Sequence, residues 1–275
     1  MYTYLIIGAS GSIGSNLVND LLARPADQVK AVRAFDVDEY GLWKLQNEHK
    51  NGRLRLMLGD VRNRERLEMA MRGADIVIHL AAYKNLDLTE YSVFDCVDVN
   101  VNGAQNVVEA AFKQKPKKAL LISSDKAANP STLYGHTKAI QEKYYLWGAK
   151  VNDDCKFSVA RLVNVLYTRG AFNDVWQYEQ KTRGVVTLTH QDMKRYFITM
   201  DKCCEFIFRC LDIMSGGEVF IPKCKEVAMI DVMKNLGYDK FVISEPRFGE
   251  KLTEELYSSH ERDRVKDDGS MFVIK

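Results

Sequence analysis

Leu5-Ile6-Ile7-Gly8-Ala9-Ser10-Gly11-Ser12-Ile13-Gly14 opens on an apolar run and passes into three spaced glycines. Beyond them Leu17, Val18, Leu21 and Leu22 recur at helical spacing. The run predicts a buried strand, a tight turn and a helix. Glycines in such a turn let backbone approach a diphosphate, and the helix amino end then faces the phosphates. Gly8, Ser10, Gly11, Ser12 and Ile13 are therefore the expected phosphate contacts. A glycine triplet alone is also an ordinary turn; its place between strand and helix gives it meaning. The implied fold is α/β, a Rossmann-type doubly wound parallel sheet.

The flanking sequence extends this pattern. Val29 to Phe35 reads as a second strand ending in Asp36. An acid there can bind the hydroxyls of an adenine ribose and would repel a 2′-phosphate, so NAD is expected over NADP. The competing reading of Asp36 is a helix cap for the segment from Glu39. Leu54 to Leu58 is a third strand, and Asp60 and Val61 beyond it can flank the adenine. A helix follows from Glu65 to Met71. Asp75 to Ala82 is a fourth strand whose small end, Leu80-Ala81-Ala82, lets backbone lie against a cofactor. His79 reads as a residue packed in the sheet. Lys84 can contact cofactor ribose or substrate, or be a solvated surface lysine. Asn100 opens a helix, Val101 to Phe112, as its cap or as a tether for the nearby loop.

Ala119 to Ile122 predicts the fifth strand, and it delivers the chemistry: Ser123-Ser124-Asp125-Lys126, then Tyr134 and Lys138 on a helix running to Lys150. Tyr134 and Lys138 share one helix face. In this reading the Lys138 charge lowers the Tyr134 pKa, and the phenolate removes a proton from a substrate hydroxyl as hydride leaves the same carbon. Ser124 completes the constellation. After a strand at Phe157 to Leu162 the alternation weakens. Helices Cys203 to Ile213 and Val227 to Leu236, with strands Glu218 to Ile221 and Phe241 to Ser244, suggest a small carboxyl-terminal lobe. The division expected is 1–165 for the dinucleotide-binding domain and 166–275 for an interleaved substrate lobe. Arg161, Asn164, Arg169, Arg195 and Arg247 are candidate donors to an anionic substrate.

The chain has 275 residues, 46% hydrophobic, with a net charge of +2 and no basic block, which argues against nucleic acid. The six cysteines form no C-x-x-C pair and have no histidine at ligand spacing, so core thiols in a reducing compartment are expected and no metal site. The apolar start is too short for a leader, and no window reaches membrane-span length. A cytoplasmic protein is the expectation.

Several stretches together resemble the extended short-chain dehydrogenase/reductases, most closely the polysaccharide-biosynthesis UDP-N-acetylglucosamine 4,6-dehydratases. Gly8 to Gly14 fits G-x-x-G-x-x-G. Ser123 to Pro130 resembles S-T-D-K-A-x-x-P, with Ser124 in place of Thr. Tyr134 to Lys138 fits Y-G-x-[ST]-K, and Arg195 to Thr199 and Arg247 to Leu252 resemble the family's R-[FY]-[WF]-x-T and R-P-G-E-K-L blocks. The resemblance implies catalysis by Ser124, Asp125, Lys126, Tyr134 and Lys138, with Lys126 as base for the sugar H5 and Asp125 as acid for the 6-hydroxyl. It also implies a UDP-sugar contacted by Lys84, Asn164, Arg195, Arg247 and Glu250, and a homodimer or larger homo-oligomer paired through helices Val101 to Phe112 and Tyr134 to Lys150. The sequence departs from the family at Asn85 to Thr89, at Val163 and Tyr167, which replace glycines near the substrate loop, and at Phe248, which replaces proline. These changes fall around the sugar pocket. Two alternatives stand beside the dehydratase: a UDP-sugar 4-epimerase, which needs Tyr134 and Lys138 but not Asp125 and Lys126, and a non-catalytic dinucleotide sensor.

Overall fold

A computed structural model describes residues 1–275. The first half alternates strictly: β1 (Tyr2–Ile7), α1 (Ser12–Ala23), β2 (Val29–Asp36), α2 (Glu39–Glu48), β3 (Leu54–Leu58), α3 (Arg64–Met71) and β4 (Ile76–His79). Then α4 (Leu86–Tyr91), α5 (Val93–Val97), a π-helical turn at Asp98–Asn102 and α6 (Gly103–Gln114) lead to β5 (Lys118–Ser124). A 3-10 turn at Asp125–Ala127, α7 (Leu133–Val151) and β6 (Lys156–Leu162) follow. The remainder is β7 (Asn164–Val165), α8 (Phe172–Arg183), β8 (Val186–Leu188), β9 (Lys194–Ile198), α9 (Met200–Ile213), β10 (Val219–Pro222), β11 (Glu226–Ala228), α10 (Met229–Asn235), β12 (Phe241–Ile243), β13 (Val265–Asp267) and β14 (Met271–Ile274).

Nine strands form one sheet in the order β13-β14-β10-β6-β5-β4-β1-β2-β3. From β3 to β10 every pairing is parallel; β14 and β13 add an antiparallel edge. The chain starts in the middle and winds outward both ways, so the switch point lies between β1 and β4. At such a point the connections leave in opposite directions and open a crevice at the carboxyl ends of the strands.

The apolar strand runs are near-continuous because both faces are covered. Ile6, Val32, Ile78 and Leu120 pack on one side with α1 and α9. Leu5, Ile7, Val77 and Leu121 point to the other side, against α3, α6 and α7. Burying each such side chain is worth about 1.5–3 kcal/mol. His79 is fully buried in this sheet, with Nδ1 3.1 Å from the Tyr145 hydroxyl. The buried thiols of Cys203, Cys204 and Cys210 belong to the α9 layer, where burial pushes Cys204 up to about 12.

Several boundaries differ from the sequence reading. β4 stops at His79: Leu80 and Ala81 both direct their N–H groups at Ile7 O and leave the ladder. The stretch read as one helix from Val227 is a short strand, β11, followed by α10. β10 joins the main sheet beside β6, so residues beyond 165 contribute to that sheet as well as to the small sheets β11-β9-β7 and β12-β8. Around β8 and β12 a separate small core gathers Trp176, Leu188, Met193 and Met233.

Candidate active site

The glycine turn sits at the switch point. Gly8 has φ +90, and a Cβ there would lie 2.7 Å from Ala81 N, so this position holds the first turn against the end of β4. Gly11 is the N-cap of α1 and supplies no side-chain cap, which leaves first-turn N–H groups free for an anion. Asp36 Oδ2 accepts from Ser10 N at 2.8 Å, and Oδ1 accepts from Asp38 N at 3.0 Å. The acid at the end of β2 thus braces the turn. The α2 cap is Asp38, which accepts from Gly41 N, so the helix-cap reading of Asp36 falls away. These features fit a dinucleotide.

Other predicted cofactor residues line the same edge in different ways. Asp60 is engaged by Arg62, whose hydrogen bonds hold its carboxyl below the usual range. Val61 is buried against Gly103 of α6, so only its backbone faces outward. Leu80, Ala81 and Ala82 are half-buried at the strand end. Asn100 is buried in the π-helical turn rather than capping a helix. Its Oδ1 accepts from Tyr83 N at 2.8 Å, and its Nδ2 donates to Tyr83 O and to Thr137 Oγ1. It ties the loop after β4 to α7.

The 3-10 turn and the start of α7 bring the reactive groups together. Thr132 caps α7 by accepting from Gly135 N. A Cβ on Gly135 would lie 2.6 Å from Lys126 O, so glycine lets the helix carrying Tyr134 approach the turn carrying Asp125 and Lys126. Ser124 Oγ donates to Asp125 Oδ1 at 3.1 Å. Lys126 Nζ donates to the same oxygen at 3.1 Å and has Glu254 Oε1 at 3.7 Å. Asp125 is almost fully buried, and its Oδ2 has no partner in the protein. A buried carboxyl oxygen left this way is open to a further hydrogen-bond partner.

The charge logic around Tyr134 differs from the expectation. Burial raises its pKa, and Lys126 and the Ser124 hydroxyl, not Lys138, work to lower it. The Lys138 ammonium turns inward, donating to Ile122 O at 2.7 Å and to Gln141 Oε1 at 2.5 Å. Burial pulls it down to about 7, with Glu142 opposing. Gln141 in turn donates to Asn100 O, so one buried chain of hydrogen bonds links Lys138 to the loop after β4.

The predicted substrate donors divide. Arg161 is not at the surface of the cleft: it is buried, paired with Glu142 and Glu261. Arg169 lies over the glycine turn, with its N–H on Ser12 Oγ and its guanidinium on Ser10 O. Arg195 is buried, donates to Leu252 O and approaches Glu250 at 3.5 Å. Arg247 pairs with Asp87 at 2.9 Å and Glu250 at 3.6 Å, so Glu250 bridges the two arginines. Asn164 donates to Tyr196 O, and Lys84 lies 3.5 Å from Thr168 Oγ1, its pKa lowered by partial desolvation. Tyr167, in a family glycine position, has φ +59 and a largely exposed ring. Gln141, Glu142 and Glu254 escaped the sequence reading. The first two lie three and four residues past Lys138, on its helix face, which is the one local sign they give.

A family model described as "Polysaccharide biosynthesis protein" matches residues 4–275. The chain belongs to this family. It is an extended short-chain dehydrogenase/reductase and an enzyme of the nucleotide-sugar dehydratase and epimerase type. It is 33% identical to a UDP-N-acetylglucosamine 4,6-dehydratase (inverting) of Campylobacter jejuni over 260 residues, covering 93% of this chain and 77% of that protein. An uncharacterized membrane protein of Methanocaldococcus jannaschii is 34% identical over 286 residues, covering 99% and 85%; no helix of the present chain is long and apolar enough to cross a membrane. A UDP-glucose 4-epimerase of Rickettsia bellii is 29% identical, covering 99% and 82%. Among solved structures, Pen from Bacillus thuringiensis superposes with a TM-score of 0.93 at 31% identity, covering 99% of this chain and 87% of that one.

Proposed function

We propose that the chain is a nucleotide-sugar 4,6-dehydratase acting on UDP-N-acetylglucosamine to give a 4-keto-6-deoxy product. The observation that carries this is the Asp125–Lys126 pair, in which the buried Asp125 is hydrogen-bonded through one carboxylate oxygen while the other oxygen has no partner. A 4-epimerase has no use for an acid and an amine beside its tyrosine. The Campylobacter relative supports the substrate.

NAD is the cofactor, and it supplies a hydride acceptor and donor at its nicotinamide ring. Gly8, Ser10, Gly11, Ser12 and Ile13 hold its diphosphate, and Asp36 discriminates against a 2′-phosphate. Tyr134, as the phenolate, takes the proton of the sugar 4-hydroxyl. Because burial raises that phenol, the Lys126 charge and the Ser124 hydroxyl are what make the transfer accessible. Lys138 positions the start of α7 through Ile122 O and Gln141, and its remaining N–H would serve the cofactor ribose. Once C4 is a ketone, H5 is acidic. Lys126 first passes a proton to Asp125 across their hydrogen bond; the free amine then removes H5, and Asp125 gives its proton to the departing 6-hydroxyl. Arg195 and Arg247, gathered by Glu250, meet the diphosphate of the sugar nucleotide, with Lys84 and Asn164 at the pocket wall.

In this reading the enzyme is cytoplasmic, in keeping with six unpaired cysteines. Two copies pair through α6 and α7, where Ile140, Trp147 and Val151 are exposed. Incubation with UDP-N-acetylglucosamine followed by proton NMR tests the assignment. A C6 methyl doublet is expected. A C4 epimer with an intact 6-hydroxymethyl group would favour the epimerase instead.

A further inference from the structure

Lys126 has two carboxylates within ion-pair distance. Asp125 is its sequence neighbour; Glu254 comes from the far end of the chain and is itself 5% exposed. Lys126 is the only ion-pair partner of Glu254. The segment that delivers Glu254 is fastened to the reactive stretch and to β9. Ser131 Oγ donates to Gly249 O at 2.6 Å and Asn129 Nδ2 to Glu255 at 2.8 Å, and from β9 Lys194 N donates to Leu252 O at 2.8 Å. Glu254 therefore arrives on anchors of its own, independent of the ion pair it makes.

We propose that Glu254 is a positioning residue of the acid–base group, the carboxylate that stands beside Lys126 while Asp125 gives up its proton. The inference rests on the dehydratase reading. In the elimination the C5–H bond breaks and its proton joins the lone pair of the Lys126 amine. The C5–H electron pair becomes the C5–C6 double bond, the C6–O bond breaks, and the Asp125 proton goes to the leaving oxygen as water forms. To act as the acid Asp125 must first take the proton it gives up, and in that form it offers no charge to the ammonium that is developing. Glu254 offers it throughout and makes the amine a stronger base. It also keeps the amine in place while that amine is uncharged.

The other groups around Lys126 do not replace this contribution. Tyr134, on α7, by then carries the proton taken from the 4-hydroxyl and offers no charge. Arg195, on β9, opposes the Lys126 charge, although Glu250 offsets part of it. Lys84, on the loop after β4, also repels it. Burial pulls the Lys126 pKa down, and the Asp125 charge and then Glu254 outweigh it while Asp125 holds no proton; once Asp125 has taken the Lys126 proton, Glu254 is the carboxylate that remains beside the amine.

The test is the near-isosteric Glu254→Gln. Lys126 reactivity toward acetic anhydride, followed by mass spectrometry across pH, reads its proton affinity without turnover. The midpoint is expected to fall by about one pH unit or more. With UDP-N-acetylglucosamine, the ascending limb of the kcat–pH profile is expected to move the same way, with its plateau about tenfold lower and KM unchanged. Glu254→Asp, which keeps the charge, restores the wild-type midpoint and serves if the glutamine variant does not fold; an aspartate midpoint displaced as far as that of a Glu254→Ala control overturns the proposal. An unchanged midpoint in Glu254→Gln overturns it directly. A wild-type enzyme that dehydrates no nucleotide sugar would sink the reading on which the inference rests, a distinguishable result.

Discussion

Arg161 on β6 and Glu142 on α7 form a doubly hydrogen-bonded pair, Nε to Oε1 at 3.0 Å and Nη2 to Oε2 at 2.6 Å, with both side chains buried. Ser123 donates to the same Glu142 oxygen at 2.6 Å, and Arg161 also reaches Glu261 at 2.8 Å. Burial works against the Arg161 charge, but Glu142 and Glu261 outweigh it and raise its pKa. The pair ties the strand that precedes the reactive turn to the helix that carries Tyr134 and to the carboxyl-terminal segment. Breaking one partner of a buried pair leaves an uncompensated charge. Glu142→Ala is therefore expected to cost about 3–5 kcal/mol in urea unfolding. A loss under 1 kcal/mol would show that the network is not held as described.

Gly135 lies against the carbonyl of Lys126, where a methyl group would meet backbone at 2.6 Å. Gly135→Ala is expected to push Tyr134 away from Ser124 and Asp125. Activity should fall by about 100-fold, the scale of a misplaced catalytic group, with circular dichroism near wild type. Near-normal kcat in the alanine variant would mean that the turn and helix need no such closeness.

His79 gives a stability signature. Burial, helped by Lys138, pushes its pKa down to about 3 from an ordinary 6.5. The folded protein holds it neutral while the unfolded chain protonates it below 6.5. Its contribution is full above pH 6.5 and is lost as pH falls from there toward 3. The slope is at most about 1.4 kcal/mol per pH unit. His79→Gln, measured by urea unfolding at pH 7 and pH 5, should lose less stability on acidification than wild type does.

Asp36 braces Ser10, and in the proposed reading its carboxylate faces the adenine ribose. Asp36→Ala should weaken NAD binding by about tenfold, the value of one lost charged hydrogen bond, and narrow the preference over NADP. Fluorescence titration with both dinucleotides checks this. Unchanged discrimination would remove Asp36 from cofactor selection.

Much of the fold was legible because the parallel sheet writes itself in local pattern. Strands such as Leu54–Leu58 are short apolar runs bounded by turn residues, and Leu17 to Leu22 recur at helical spacing. The reactive cluster was legible for the same reason: Ser124, Asp125, Lys126, Tyr134 and Lys138 all lie within one strand–turn–helix unit. What the sequence hid depends on distance along the chain. Arg161 meets Glu261 across 100 residues, and no local spacing announces that partner, so Arg161 read as a substrate donor. Glu254 reaches Lys126 from the other end of the molecule for the same reason. The strands β7, β8 and β11 have two or three residues each and are too short to carry alternation. Lys138 misled in a different way: its spacing from Tyr134 is right, but Ile122 O and Gln141 claim its ammonium.

The central claim is that one sugar is oxidised at C4, loses water across C5 and C6, and is reduced at C6 by the hydride taken from C4. UDP-N-acetylglucosamine carrying deuterium at C4 tests this most directly. The account predicts a 4-keto product whose C6 methyl has gained that deuterium, read as CH2D by NMR and by mass. Deuterium retained at C4 in a product that keeps its 6-hydroxyl would contradict it.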